Sequence, residues 1–399
     1  MAASTAMGPV QDTYDTMLVK SAATFLGLGN YDCLLGHNGR GHLDQVNLWG
    51  TSQTRAQAQS MAAFFSRMVF APASPSGSLA VSDAVSGGYD LNTDSGNRPV
   101  RTPAGSLSSL TPLYRETFAA PDNGDWRTAF AENMTQDPMF ARNLANRLWK
   151  QMFGLALAEP VDALDPARLD PRNPPPAPWD FQATHPELLE RLAAEIAKQD
   201  FRLRPFLRTL AQSSAYQLSS RFDGEWSSDY VALFARHYAR RMEGEEVHDA
   251  IVKTTGMPGA YTVQGWTDRV GWAIKLPEPV EPASDPPARN FMNTFLRGDR
   301  DTQERSQAGS IQQQLYLMND SFVIDRVKTA RSPNLRALAQ MAKDEDLVEE
   351  LYLTFLSRRP SDAELTTGVA FLAKAAARSE AVEDLAWMCI NRVEFLFSY

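Results

Sequence analysis

Proline and glycine constrain this fold more than any other feature of the sequence. They gather in three stretches, residues 71–112, 159–182 and 256–287. Proline lacks a backbone donor and glycine costs extra ordering entropy, so none of these stretches reads as regular helix. The first is broken by Pro72, Pro75, Gly77, Gly87, Gly88, Gly96 and Pro99 around short alternating runs such as Leu79-Ala80-Val81. It reads as a loop-rich linker with one or two small strands. The second, from Pro160 to Pro178, is dense enough in proline to predict an irregular surface loop.

Between these stretches the apolar residues recur at helical spacing. Segments 12–26, 52–70, 124–154, 184–199 and 204–214 are predicted helices. So are 228–239, 243–254, 288–298, 306–331, 333–342, 345–357, 361–378 and 381–397. Start signals support several. Asp125 and Asp137-Pro138 open two helices, Thr54 or Ser52 caps another, and Ser361 caps a fourth. Thr184-His185-Pro186-Glu187 reads as a capping threonine before a first-turn proline. The expected fold is mainly α, a multi-helix domain with long irregular Gly/Pro-rich loops and at most a few short strands. Three parts follow: residues 1–70, a linker over 71–112, and a helical domain over 113–399.

Charge narrows the partners. The net charge of -9 and pI near 5.2 disfavour a general nucleic-acid partner, which would need a basic face. No window approaches the roughly 18 apolar residues of a membrane span. The first nine residues lack the basic residue and apolar run of an export signal, and the chain reads as beginning abruptly.

The densest chemistry lies in Tyr31-Asp32-Cys33-Leu34-Leu35-Gly36-His37-Asn38-Gly39-Arg40-Gly41-His42-Leu43-Asp44. Cys33-x-x-Gly36-His37 keeps the spacing of a covalent haem-attachment signature, with glycine in place of the second thiol. Cys33, His37, His42 and Asp44 are candidate ligands for a transition metal, and Cys33 and His37 for haem. The alternative is a glycine-rich connector whose side chains satisfy local backbone groups. The only other cysteine, Cys389, lies at the far end, so no zinc cluster can form.

Further candidates lie on helices. Arg142, Asn146 and Trp149 share a face by spacings of four and three, and Arg147, a further candidate, lies off it. They suit a groove for a sugar or an anion, or else interdomain packing. His185 precedes a helix start, where a histidine is a base or a structural contact. Glu245, His248 and Asp249 have the spacing of a helical metal site, although Arg241 and Glu245 also make an ordinary i,i+4 ion pair. Arg297-Gly298-Asp299 is a chance tripeptide. No nucleophile elbow, phosphate-binding loop or His-Glu-x-x-His is present.

Several runs together resemble a bacterial family of unknown function. They are Phe140-Ala141-Arg142-Asn143-Leu144-Ala145-Asn146-Arg147-Leu148-Trp149, Thr184-His185-Pro186-Glu187, Gln212-Ser213-Ser214-Ala215-Tyr216, Arg240-Arg241-Met242-Glu243-Gly244-Glu245 and Leu317-Met318-Asn319-Asp320. The family is domain of unknown function 1553 of the planctomycete-type cytochrome-associated proteins, and the resemblance covers roughly residues 110–399. Residues 13–70 resemble the end of the domain that precedes it, of unknown function 1549, with Cys33, His37, Gly41-His42-Leu43-Asp44 and Phe64-Phe65 kept. The resemblance implies export and a cytochrome c-type or other exported partner, and it carries over no enzymatic activity. Three readings follow: an auxiliary binding or scaffold protein of extracytoplasmic redox or polymer-degradation systems, a metal- or haem-dependent redox protein, and a polysaccharide-acting enzyme.

Overall fold

The computed structural model describes residues 9–73, 78–93, 96–103, 105–120, 124–298 and 305–399. The export-signal reading of residues 1–8, Pro75 and Gly77 of the expected linker, and Asp299 of the Arg-Gly-Asp tripeptide lie outside them. Among the described residues there are sixteen α-helices, and every sheet has only two strands, so the fold is mainly α as expected. The chain divides into two compact units, Met1–Tyr238 and Ala239–Tyr399.

In the first unit, α1 (Gln11–Ser21) runs on through a π-helical turn, Ala22–Leu26. The short helices α2 (Tyr31–Leu34) and α3 (Leu48–Thr51) follow, then α4 (Arg55–Ala62), which starts in a Thr54/Gln57 capping box. The expected helix over 52–70 therefore stops early. From Met68 the chain extends as β1 (Met68–Ala73), paired antiparallel with β2 (Ser78–Asp83). The small pairs β3 (Tyr89–Asp90) with β4 (Ser109–Leu110), and β5 (Leu113–Tyr114) with β6 (Phe118–Ala119), come next.

Helix α5 (Trp126–Gln136) is capped by Asp125, and α6 (Pro138–Phe153) by Asp137 with Pro138 in its first turn. Both match the start signals. The helix α7 (Pro186–Lys198) packs along α6, and α8 (Leu203–Ala211) packs beside both. Leu18, Leu26, Phe64, Ala145, Ile196 and Phe206 are fully buried in one core. Each such side chain of leucine size or larger contributes about 1.5–3 kcal/mol by leaving water.

Two more expectations fail in this unit and a third holds only in part. Thr184 does not cap α7. Its amide and hydroxyl both bond Leu157 O, and His185 occupies the cap position. The proline-dense stretch is irregular as expected and runs over the surface from 171 to 180, but its first half is tucked in. Leu164 and Leu169 are buried, Leu164 N bonds Gly27 O, and Asp165 accepts the amides of Leu48 and Trp49. The Leu164 backbone bond and the Asp165 carboxylate on the α3 amides are what hold this first half in. The predicted helix over 228–239 is only a 3-10 turn, Ser228–Tyr230.

In the second unit, α9 (Gly244–Thr255), α10 (Pro286–Thr294) and α11 (Ile311–Asn319) precede the short α12 (Ser321–Ile324). The single helix expected over 306–331 breaks at Asp320, whose carboxylate caps α12. α13 (Pro333–Ala339), α14 (Asp344–Leu356), α15 (Asp362–Lys374) and α16 (Arg378–Ile390) complete it. Ser361 caps α15 as expected.

Arg241 does not pair with Glu245. It bonds Gln307 O and Gln313 Oε1, while Glu245 holds Arg297 at 2.9 Å and Arg305 at 3.0 Å. Arg297 is buried, so its pair with Glu245 is a core ion pair.

His248 is likewise built into the second core. Its Nδ1 meets Asp249 Oδ1 at 2.8 Å and its Nε2 meets Tyr261 OH at 2.6 Å. Neutral imidazole satisfies both, with Nδ1–H donating to Asp249 and the Tyr261 hydroxyl donating to Nε2. Burial pushes the pKa of His248 below its ordinary value against the opposing pull of Asp249. A base whose folded pKa is lowered contributes full stability above its unfolded pKa, about 6.5, and loses it as pH falls from there toward the folded value. The His248→Gln variant is therefore expected to flatten the stability–pH profile below about pH 6.5, by up to about 1.4 kcal/mol per pH unit. Urea midpoints between pH 7.5 and 5 check this, and an unchanged slope overturns it.

Candidate ligand cavity

The polar cavity of the first unit is assembled from a hairpin tip and the junction of two helices. It holds about 440 Å³ and is lined by Arg115, Asn133, Gln136, Asp137, Arg142 and Pro166, among others. The β5–β6 turn supplies Arg115, which sits with Glu116 at positive φ, 43° and 65°. Two adjacent non-glycine residues in that region cost roughly 1–2 kcal/mol each. Such strain is held where the surrounding structure fixes a side chain in place.

Arg115 Nη1 reaches Asp137 Oδ2 at 2.7 Å, and the Tyr114 hydroxyl donates to the same oxygen at 3.2 Å. Asp137 Oδ1 meanwhile accepts the Met139 amide to start α6. One turn on, Arg142 Nε donates to Glu190 Oε2 on α7 at 2.8 Å. Burial, with Asp137 nearby, raises the Tyr114 phenol above its ordinary pKa, so it stays a donor. Burial likewise raises Tyr31, whose electrostatic neighbours are Arg115 and Asp137. Tyr31 packs edge-on against Trp49 at 5.6 Å, and the Arg115 guanidinium lies 5.5 Å from the Trp49 ring.

The residues singled out on α6 fall into two groups. Arg142 lines the cavity, and Trp149 stacks on Phe153 at 3.8 Å near the other end of the helix. Asn146 clasps both backbone groups of Ala158, and Arg147 bonds Asn143 Oδ1 and Ala23 O. Asn146 therefore holds a loop to α6, and Arg147 ties α6 to the π-helical turn after α1. His185 lies beside Phe234, ring centroids 6.3 Å apart. Arg115, Asn133 and Tyr114 escaped sequence reasoning. No local periodicity marks them, whereas Asp137 was legible as a cap and Arg142 as a groove candidate.

The Cys33 loop is tied down along its length. Tyr31, Leu34 and Leu35 are buried, and Asp32 pairs with Arg98 at 2.5 Å. Asn38 Oδ1 accepts the Arg55 amide, and Asp44 accepts the Gly41 amide. Cys33 is an exposed free thiol, and the rings of His37 and His42 stack at 3.7 Å. His37 Nδ1 faces Asn38 O at 2.9 Å. Among the described residues, no group of three or more His, Cys, Asp or Glu side chains is placed to hold a metal ion.

A second cavity, also about 440 Å³, opens between α14, α15 and α16 and is mostly apolar, with Phe371, Leu385 and Met388 in its wall. Its polar edge is spent internally, since Arg392 binds Glu364 at 2.9 Å. No helix among the described residues is long and apolar enough to cross a membrane.

Residues 126–372 match the family described as PSD1, protein of unknown function (DUF1553). The matched span includes Asn133, Gln136, Asp137, Arg142 and Pro166 of the polar cavity, while Tyr114 and Arg115 precede it. No curated protein and no solved structure matches the chain.

Proposed function

The chain belongs to the PSD1 family of proteins of unknown function (DUF1553), and from that premise we propose that it is a non-catalytic binding protein whose polar cavity takes a neutral, hydroxyl-rich ligand of carbohydrate type. The mixture of donors and acceptors in the cavity carries this reading. Each sugar hydroxyl both donates and accepts, and the wall offers guanidinium and amide donors beside carboxylate and amide acceptors. An anion is disfavoured because both arginines already hold carboxylates, at 2.7 and 2.8 Å. A hydrolytic role is disfavoured because Asp137 and Glu190 are occupied by those arginines, whereas glycoside hydrolysis needs two carboxyl groups free to act. The setting is the one the resemblance implies, an exported redox or polymer-degradation system.

Calorimetric titration with glucose, mannose and xylose, set against glucuronate and phosphate, tests the proposal. At least one neutral sugar is expected to bind, and neither anion to bind more tightly. Asn133→Ala and Gln136→Ala should each weaken binding about 2- to 10-fold, the loss of one hydrogen bond. No heat from any neutral sugar, or preference for the anions, overturns it.

The Cys33–His37 loop is assigned a structural part within this proposal. What supports this is its buried anchor residues and the local bonds of Asn38 and Asp44. One thiol and Gly36 also do not fit a haem held by two thioether bonds.

A further inference from the structure

The opposite end of α6 carries a feature that the cavity does not explain. The segment after α8 folds its aromatic side chains against one another rather than into a helix. Phe222, Trp226 and Tyr230 form a cluster with ring centroids 5.2–5.8 Å apart. Trp226 and Tyr230 are each more than a third exposed, which is unusual for rings that already have partners. Arg236 lies 4.0 Å over the Trp226 ring. Asp223, Glu225 and Asp229 are exposed on the same segment. The exposed part of these rings, with carboxylates nearby and a guanidinium over one face of Trp226, offers apolar contact and hydrogen bonding together.

The cluster is linked to the far end of α6 through the core. Trp226 meets Tyr238 at 6.2 Å, Tyr238 meets Phe234 at 6.4 Å, and Phe234 packs edge-on against Trp149 at 5.2 Å. Trp149 lies two helical turns beyond Arg142 and on the same face of α6. From Asp137 to Phe153 the helix rises about 24 Å. Near its far end two buried ring nitrogens, Trp149 Nε1 and His237 Nδ1, lack a hydrogen-bond partner among the described residues. Buried polar atoms are normally satisfied, so these two are exceptions in the packing at this end.

We infer that the Trp226–Tyr230 cluster is a second subsite for the same ligand, which makes that ligand a chain of neutral sugars rather than a single one. The inference rests on the carbohydrate reading of the cavity. Sugar rings stack their C–H faces on Trp226 and Tyr230 while another unit of the chain occupies the cavity near Arg142. The two subsites together select length.

The experiment compares monosaccharides with hexaoses of β-1,4-linked glucose, mannose and xylose, using the full chain. The parent is expected to bind one hexaose roughly tenfold more tightly than its monosaccharide. Trp226→Ala and Tyr230→Ala should each remove most of that gain and leave monosaccharide affinity unchanged. Gln136→Ala should weaken both ligands. Both aromatic positions are exposed, and unchanged circular dichroism confirms that the variants fold. If monosaccharides bind but hexaoses gain nothing, or if the gain survives Trp226→Ala, the second subsite is wrong and the cavity reading stands. If no sugar of either length binds, both fail.

Discussion

Replacing Arg101 by methionine is expected to destabilise the first unit by about 3–5 kcal/mol, the cost of leaving a buried charge without its partner. The Arg101 side chain is fully buried. It reaches Asp15 at 2.6 Å and Asp12 at 2.8 Å, and its Nε donates to the Tyr89 hydroxyl at 2.7 Å. Tyr89 in turn donates to Asp15 at 2.7 Å. Asp15 is also buried, and desolvation holds its pKa above the ordinary carboxylate value even with Arg101 and Tyr89 pulling it down. Without the guanidinium, that opposition weakens and Asp15 becomes harder still to ionise. A carboxyl with a raised folded pKa gains folded-state stability as pH falls, so part of the loss should return under acid conditions. The double variant Arg101→Met with Asp15→Asn should recover part of the loss, because it removes both charges together. Since the chain has two compact units, the readout is the urea dependence of amide-exchange protection in α1. A loss below about 1 kcal/mol would mean that the pair is no more than a surface ion pair in effect.

That network also shows where sequence reading reaches its limit. Helix α6 was legible because every signal for it is local: Asp137-Pro138 at the start, an apolar face, and Gly154 in the left-handed region at the stop. Arg101 stands 86 residues from Asp15, inside a stretch read only for its prolines and glycines. No pattern of period two or 3.6 connects them. The same holds for the cavity, where Arg115 comes from a hairpin tip and Asp137 from a helix cap 22 residues later. The break between α11 and α12 had a visible sign in Asp320, a capping residue inside an apolar run. Segment 228–239 carried helical periodicity, but its rings pack against one another and Arg236, and tertiary packing overrides a weak local preference.

Gly39→Ala is expected to be the most damaging single-methyl change in the Cys33 loop, costing at least about 1–3 kcal/mol through forced backbone movement. A Cβ at position 39 would lie 1.7 Å from Gly50 O and 2.7 Å from Gly50 C, both backbone atoms that no rotamer change can clear. Relieving the overlap would also strain the Gly39 N–H bond to Gln53 O, now 2.8 Å, worth about 1 kcal/mol more. Gly41 differs in kind. Its φ is +87° with open space around the missing Cβ, so Gly41→Ala should cost only the roughly 1–2 kcal/mol of that backbone conformation. Gly36 differs again, since its Cβ would meet only Cys33 O at 3.3 Å and its φ is not positive. Gly36→Cys should therefore fold with a urea midpoint near the parent's. This ranking follows if the glycines exist to press the loop against α3, and urea midpoints of the three variants check it. A ranking with position 36 most sensitive would point instead to a ligand pocket around Cys33 and His37. Parent protein made beside haem-maturation machinery decides the same question by spectrum. A Soret band that survives acid–acetone extraction would return the loop to covalent haem, and its absence together with the predicted ranking leaves the loop as the clamp that holds Tyr31 behind the cavity.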